Sequence, residues 1–249
     1  MCHPTGGRPP ASPVVTGDVA EHGRLEITAA DGNRLSAYRA VPAVPNGRNL
    51  VVLPDIRGLH PFYEALAMRF AEAGFPTIVI DYYGRSAGPA PRDASFDPMA
   101  HLPLLEDRHV DADTAAAAAR LRAEHPAPVF TVGFCLGGGH SWRQAATGLG
   151  LAGAIGFYGP PRFFGDATAA LSAPLLMLLA GDDAATPPAA FDELTSGFDE
   201  AGKPYEKHVY DGAPHSFFDR DSGEWEQACA DAWHRILDFT ARHARTAAA

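Results

Sequence analysis

Three stretches of this chain hold side chains that could transfer an acyl group. The first is Gly133-Phe134-Cys135-Leu136-Gly137, the G-x-S-x-G pattern with cysteine in the serine position. In such an elbow a strand turns sharply into a helix, and the central side chain is exposed at the turn. A thiol there sits at a helix N-terminus, whose partial positive charge favours thiolate. The second is Asp182-Asp183, which with Gly181 before it follows the apolar run Leu175–Ala180, and the third is His215, shortly after Tyr205–Tyr210. A thiol becomes a strong nucleophile when a neighbouring histidine takes its proton, and the same histidine can return that proton to the leaving group. An acid behind the histidine fixes its tautomer and stabilises the imidazolium. The backbone N–H of Leu136, with a second from Ile56 in the loop after Leu53, would receive the oxyanion of a tetrahedral intermediate. The plain alternative for a lone cysteine after a strand is a small buried hydrophobe.

Positioning these groups requires strands that end at one edge of a sheet. Arg24–Ala29 and Arg34–Val41 alternate apolar and polar residues across Asp31-Gly32, a hairpin signal. Asn49–Leu53, Thr77–Ile80, Val129–Val132, Ala152–Tyr158 and Leu175–Ala180 read as strands, the first two as compact buried ones, and Tyr205–Tyr210 as the last strand. Helices are predicted over Phe62–Ala73, Asp107–Glu124, Leu136–Thr147, Pro188–Ala201 and Gln227–Arg242. The alternation of strand and helix predicts an α/β fold: a mostly parallel sheet covered by helices on both faces, opened by an antiparallel N-terminal hairpin. Residues 1–21 are expected to form a loosely ordered arm and 22–245 a single domain. The proline-rich stretch Tyr82–Leu105 is expected to be an irregular loop.

Acidic residues outnumber basic ones, 30 to 20, giving a formal net charge of −10. That charge argues against nucleic acid and anionic membranes as partners. No apolar run reaches the ~18–20 residues of a membrane span. The N-terminus lacks the basic start and apolar core of a signal peptide. The three cysteines, Cys2, Cys135 and Cys229, are an odd and widely spaced set, which points to a reducing cytoplasm rather than a disulfide framework. The histidines show no ligand spacing, and no phosphate-binding or dinucleotide fingerprint is present, so no metal and no cofactor are expected.

The order nucleophile, acid, histidine is that of an α/β-hydrolase. At this level the chain resembles the dienelactone hydrolase family, on Gly133-Phe134-Cys135-Leu136-Gly137-Gly138, Gly181-Asp182-Asp183-Ala184-Ala185-Thr186-Pro187 and Gly212-Ala213-Pro214-His215-Ser216-Phe217. The similarity runs from about Gly23 to Phe239. It implies an α/β-hydrolase fold and hydrolysis of a small lactone or ester through a covalent acyl-enzyme. Its spacing assigns the acid to Asp183, with Asp182 as a solvated or turn-forming neighbour. The family places a glutamate in the loop after Leu53, where it pairs with the resting thiol; Asp55 stands there, one methylene shorter, and a turn-forming role is the alternative. The family's carboxylate-binding arginine is matched by Arg85 in Asp81-Tyr82-Tyr83-Gly84-Arg85, with a surface arginine as the alternative. Arg220 loosely matches a second arginine, and Tyr158 a pocket residue.

The reading that follows is a cysteine hydrolase of small lactones or esters favouring carboxylate-bearing substrates, as a monomer or weak homo-oligomer. Two alternatives remain: a general carboxylesterase without lactone preference, and a non-catalytic thiol redox sensor on a hydrolase scaffold.

Overall fold

The computed structural model describes residues 7–92, 95–219 and 223–247, with side chains as far as residue 244. Eight strands form one sheet: β1 (Val19–Thr28), β2 (Arg34–Pro42), β3 (Asn49–Leu53), β4 (Thr77–Ile80), β5 (Val129–Phe134), β6 (Gly153–Phe157), β7 (Leu175–Asp182) and β8 (Tyr205–Pro214). Their order is β1-β2-β4-β3-β5-β6-β7-β8. The hairpin β1–β2 and the pairing of β2 with β4 are antiparallel. All other neighbours are parallel. The helices are α1 (Pro61–Glu72), α2 (Gly84–Ala87), α3 (Pro98–His101), α4 (Asp107–Glu124), α5 (Leu136–Gln144), α6 (Asp192–Glu200) and α7 (Glu226–Ala247).

The central strands read as unbroken apolar runs because both faces are covered. Along β3, Leu50 and Val52 join one core while Val51 and Leu53 join the other. Along β7, Leu176 and Leu178 alternate with Leu175, Met177 and Leu179 in the same way. The first core receives Phe62, Tyr63, Leu66 and Phe70 of α1 and Trp233, Ile236 and Phe239 of α7. The second receives Val110, Ala117 and Leu121 of α4, Trp142 of α5 and Phe198 of α6. Side-chain direction alternates with period two along a strand, so one run of apolar residues feeds both layers.

The structure corrects three expectations. The first strand begins at Val19, five residues before Arg24, because Val19 and Glu21 pair with β2 across a register shift. The preceding residues are also tied down: the Thr16 amide donates to Glu72 O at 2.8 Å, and the Trp233 indole N–H to Pro10 O at 3.2 Å. Residues 1–6 lie outside the described residues. The stretch Tyr82–Leu105 contains α2, α3 and a 3₁₀ turn at Leu102–Leu104 rather than irregular chain alone. There Asp97 caps α3 by accepting from the Met99 amide at 3.0 Å. The predicted helix over Pro188–Ala201 begins as a 3₁₀ turn at Pro188–Phe191 before α6.

Candidate active site

The elbow is built from β5 and α5 with no room for side chains at its glycines. A Cβ on Gly133 would lie 1.9 Å from Gly137 O, and one on Gly137 would lie 2.1 Å from Leu53 O. The backbone of β5 therefore approaches the start of α5, and α5 approaches the end of β3, as closely as glycine allows. Between them Cys135 takes φ 53° and ψ −117°, a sparsely populated conformation for a residue with a Cβ. Its amide donates to Phe157 O of β6 at 3.1 Å, and its carbonyl accepts from Gly138 N at 2.9 Å. The strain is thus held by both flanking elements, and Cys135 caps α5 on its positive end.

His215 follows the last residue of β8, and Asp183 follows the last residue of β7. The His215 Nδ1 lies 2.7 Å from Asp183 Oδ2. The other groups around this carboxylate are donors: Ala185 N at 2.8 Å and Thr186 N at 3.0 Å to Oδ1, and Thr186 Oγ1 at 2.5 Å to Oδ2. Burial works against its charge, but the bonds from His215 and Thr186 prevail and hold the Asp183 carboxyl at about 2. It is therefore ionised at any working pH and orients the imidazole so that Nε2 is the nitrogen left for other partners. Asp182 is exposed and makes none of these contacts.

Cys135, Leu136, His215 and Ile56 line one cavity of about 380 Å³, together with Leu102, Leu105, Asp107, His140, Pro160, Arg162, Phe163, Ala185 and Thr186. The volume suits a small molecule. Leu136 is the first residue of α5, where N–H groups have no carbonyl within the helix to receive them. Ile56 lies in the loop after β3, which three buried tyrosines brace. Tyr82 Oη donates to Pro54 O at 2.7 Å, Tyr83 Oη donates to Ile56 O, and Tyr63 Oη accepts from the Asp55 amide at 3.0 Å. A loop fixed in this way presents its backbone without rearrangement, which is what stabilising a developing charge requires.

The other expected site residues are placed as follows. Asp55 is clasped by Arg57, whose Nη2 lies 2.5 Å from Oδ2 and whose amide donates to Oδ1 at 2.8 Å. Burial opposes its charge, but the bonds from His60 and Arg57 hold the carboxyl well below the usual range. The contact to the Arg57 amide is the turn that the sequence offered as the alternative role for Asp55. Arg85 does not line the cavity. Its Nη2 lies 2.6 Å from Asp31 Oδ2 and its Nη1 2.6 Å from the buried Asp113 Oδ2, so it ties the β1–β2 hairpin to α4. Tyr158 is fully buried, with its ring 4.9 Å from that of His215 and its Oη donating to Asp219 Oδ1 at 2.7 Å. It packs behind the histidine rather than lining the cavity. Arg220 and Cys2 lie outside the described residues. Cys229 is buried, and burial pushes its thiol up to about 12.

Several cavity residues had no signal strong enough to single them out in the sequence. His140 stands five positions after Cys135, near one turn and a half along α5, and Arg162 and Phe163 follow β6 at its carboxyl end, where sites in such sheets form. Leu102 and Leu105 come from the proline-rich stretch. Burial holds the His140 imidazole down at about 4, so it is neutral at pH 7. This depressed value makes stability pH-dependent: the contribution is complete above about pH 6.5 and is lost as pH falls towards 4, by up to about 3 kcal/mol. Urea unfolding of wild type and His140→Leu between pH 7 and 4 should show the shallower pH dependence in the variant.

A mostly parallel sheet, a strained residue between β5 and α5, and an acid–histidine pair at later strand ends define an α/β hydrolase. The chain belongs to the dienelactone hydrolase family, whose model matches residues 35–244. It is 27% identical to a protein of Salmonella typhi named "Putative carboxymethylenebutenolidase", over 97% of each chain. It is 28% identical to a Bradyrhizobium protein named "Probable 2-oxo-3-(5-oxofuran-2-ylidene)propanoate lactonase", covering 86% of this chain and 91% of the other. The crystal structure titled "Putative Dienelactone Hydrolase" from Klebsiella pneumoniae superposes with a TM-score of 0.76 at 25% identity, covering 89% of this chain and 98% of that one. Among the described residues no helix is long and apolar enough to cross a membrane, and no group of histidine, cysteine and acidic residues could hold a metal ion.

Proposed function

We propose that this hydrolase opens small lactones and cleaves small esters through a Cys135–His215–Asp183 triad and a thioester acyl-enzyme, favouring substrates that carry a carboxylate. The observation that carries the reading is the His215–Asp183 contact at 2.7 Å beside a cavity that both Cys135 and His215 line. In the reaction, the Cys135 proton passes to His215 Nε2 as the sulfur attacks the acyl carbon. The oxyanion is received by the Leu136 and Ile56 amides, and the imidazolium is stabilised by Asp183. Collapse expels the alkoxide or enolate, which takes the proton from His215. Water then attacks the thioester, with His215 as base, releasing the acid and the thiol. In a lactone, both products remain in one molecule.

The family's lactone activity and the names of the relatives support this substrate class. Steady-state hydrolysis of a dienelactone and of 4-nitrophenyl acetate tests it. Turnover of either that disappears in Cys135→Ala is expected; turnover of neither, or a variant equal to wild type, would remove the reading. This reading does not draw on Arg85, whose guanidinium is engaged by two aspartates outside the cavity.

A further inference from the structure

The arginines around this end of the sheet are mostly spoken for. Arg57 holds Asp55, Arg85 holds Asp31 and Asp113, Arg92 holds Asp81, and Arg143 holds Asp111. Arg162 differs. It lines the catalytic cavity and is exposed, and among the described residues no carboxylate pairs with it. Its guanidinium lies over the Phe163 ring at 4.8 Å, which limits where it can swing. Phe163 in turn stacks on the His140 ring, with centroids 4.4 Å apart and planes 29° apart.

His140 supplies a second, independent observation. It is buried, it lines the same cavity, and its Nδ1 has no hydrogen-bond partner. The Asp107 Oδ1 is 3.9 Å from it, beyond hydrogen-bond reach. A buried polar nitrogen without a partner is costly unless something else meets it. Asp107, the one carboxylate in the cavity lining, lies 3.7 Å from Arg143 Nη1, so its charge is offset from behind.

We infer that Arg162 and His140 form the recognition end of this cavity: Arg162 takes a carboxylate of the substrate, and His140 hydrogen-bonds a second polar atom of the same molecule. A guanidinium suits a carboxylate because it presents paired N–H donors in one plane. Leu102, Leu105 and Ile56 supply the apolar walls that a flat unsaturated ring would contact. The assignment rests on the cysteine-hydrolase reading above and adds to it the residues that choose the substrate.

A dienelactone and its methyl ester differ only in that carboxylate, and their kcat/KM ratio reads the subsite. Wild type favours the free acid. Arg162→Met should cut the ratio by at least about ten-fold, through a raised KM for the acid, while the methyl ester changes less than about two-fold. Arg162→Lys should restore part of the ratio, and Arg85→Met should leave it unchanged. His140→Leu should weaken both forms alike. Because Arg162 is exposed, its variants are expected to fold, which a melting curve checks. An unchanged ratio in Arg162→Met, or a wild type indifferent to the carboxylate, overturns the subsite and leaves the hydrolase standing. Turnover of neither compound by wild type overturns both.

Discussion

Replacing Cys135 by alanine is expected to lower kcat/KM for ester and lactone by roughly 10⁴-fold or more, because it removes the sulfur proposed as the nucleophile. The loss should come without loss of fold. Cys135 is half-buried, and its strained backbone is held by the Phe157 carbonyl and the first turn of α5. Cys135→Gly makes the point more sharply. Glycine adopts φ 53° without the penalty of a Cβ, so this variant should be as inactive as the alanine one and more stable than wild type by about 1 kcal/mol. Activity and stability then move in opposite directions at one position, as expected where strain serves chemistry. Urea denaturation beside steady-state assays reads both.

The second large effect concerns the two neighbouring aspartates. Asp183→Asn should reduce kcat by about 10³–10⁴-fold, since an amide can offer its N–H to the His215 ring and favour the wrong tautomer. It should also destabilise the protein: the Ala185 and Thr186 amides and the Thr186 hydroxyl would lose a charged acceptor. Asp182→Asn, one residue away but exposed, should change kcat less than about two-fold. Equal effects at the two positions would show that the acid had been assigned to the wrong residue. With the Asp183 carboxyl at about 2, no loss of activity between pH 8 and 4 can come from its protonation.

The layered fold was readable because its signals are local. Apolar runs such as Asn49–Leu53 need both faces covered, and the Asp31-Gly32 turn sets the hairpin. The elbow was readable because close backbone approach demands glycine at positions 133 and 137. The Asp183–His215 contact joins residues 32 apart, yet it follows from the ends of two neighbouring parallel strands. Arginine partners followed no such rule. Arg85 meets Asp31 at 54 residues' separation and Asp113 at 28, and nothing in the motif Asp81-Tyr82-Tyr83-Gly84-Arg85 distinguishes a guanidinium facing those aspartates from one facing a ligand. Asp55 was ambiguous for the opposite reason: Arg57 is only two residues away, and a short turn competes with any longer reach. His140 carries no spacing signal in the sequence, because its place at the cavity depends on where α5 carries it after the elbow.

The central claim is a covalent bond between substrate and one sulfur, and it can be weighed directly. The protein is mixed with 4-nitrophenyl acetate, quenched in acid within the first turnover, digested and examined by mass spectrometry. The account predicts one added acetyl group on the peptide containing Cys135, decaying as turnover completes and absent from Cys135→Ala. Turnover at the wild-type rate with that peptide unmodified, or an acetyl group that forms on another residue and persists in Cys135→Ala, would contradict it.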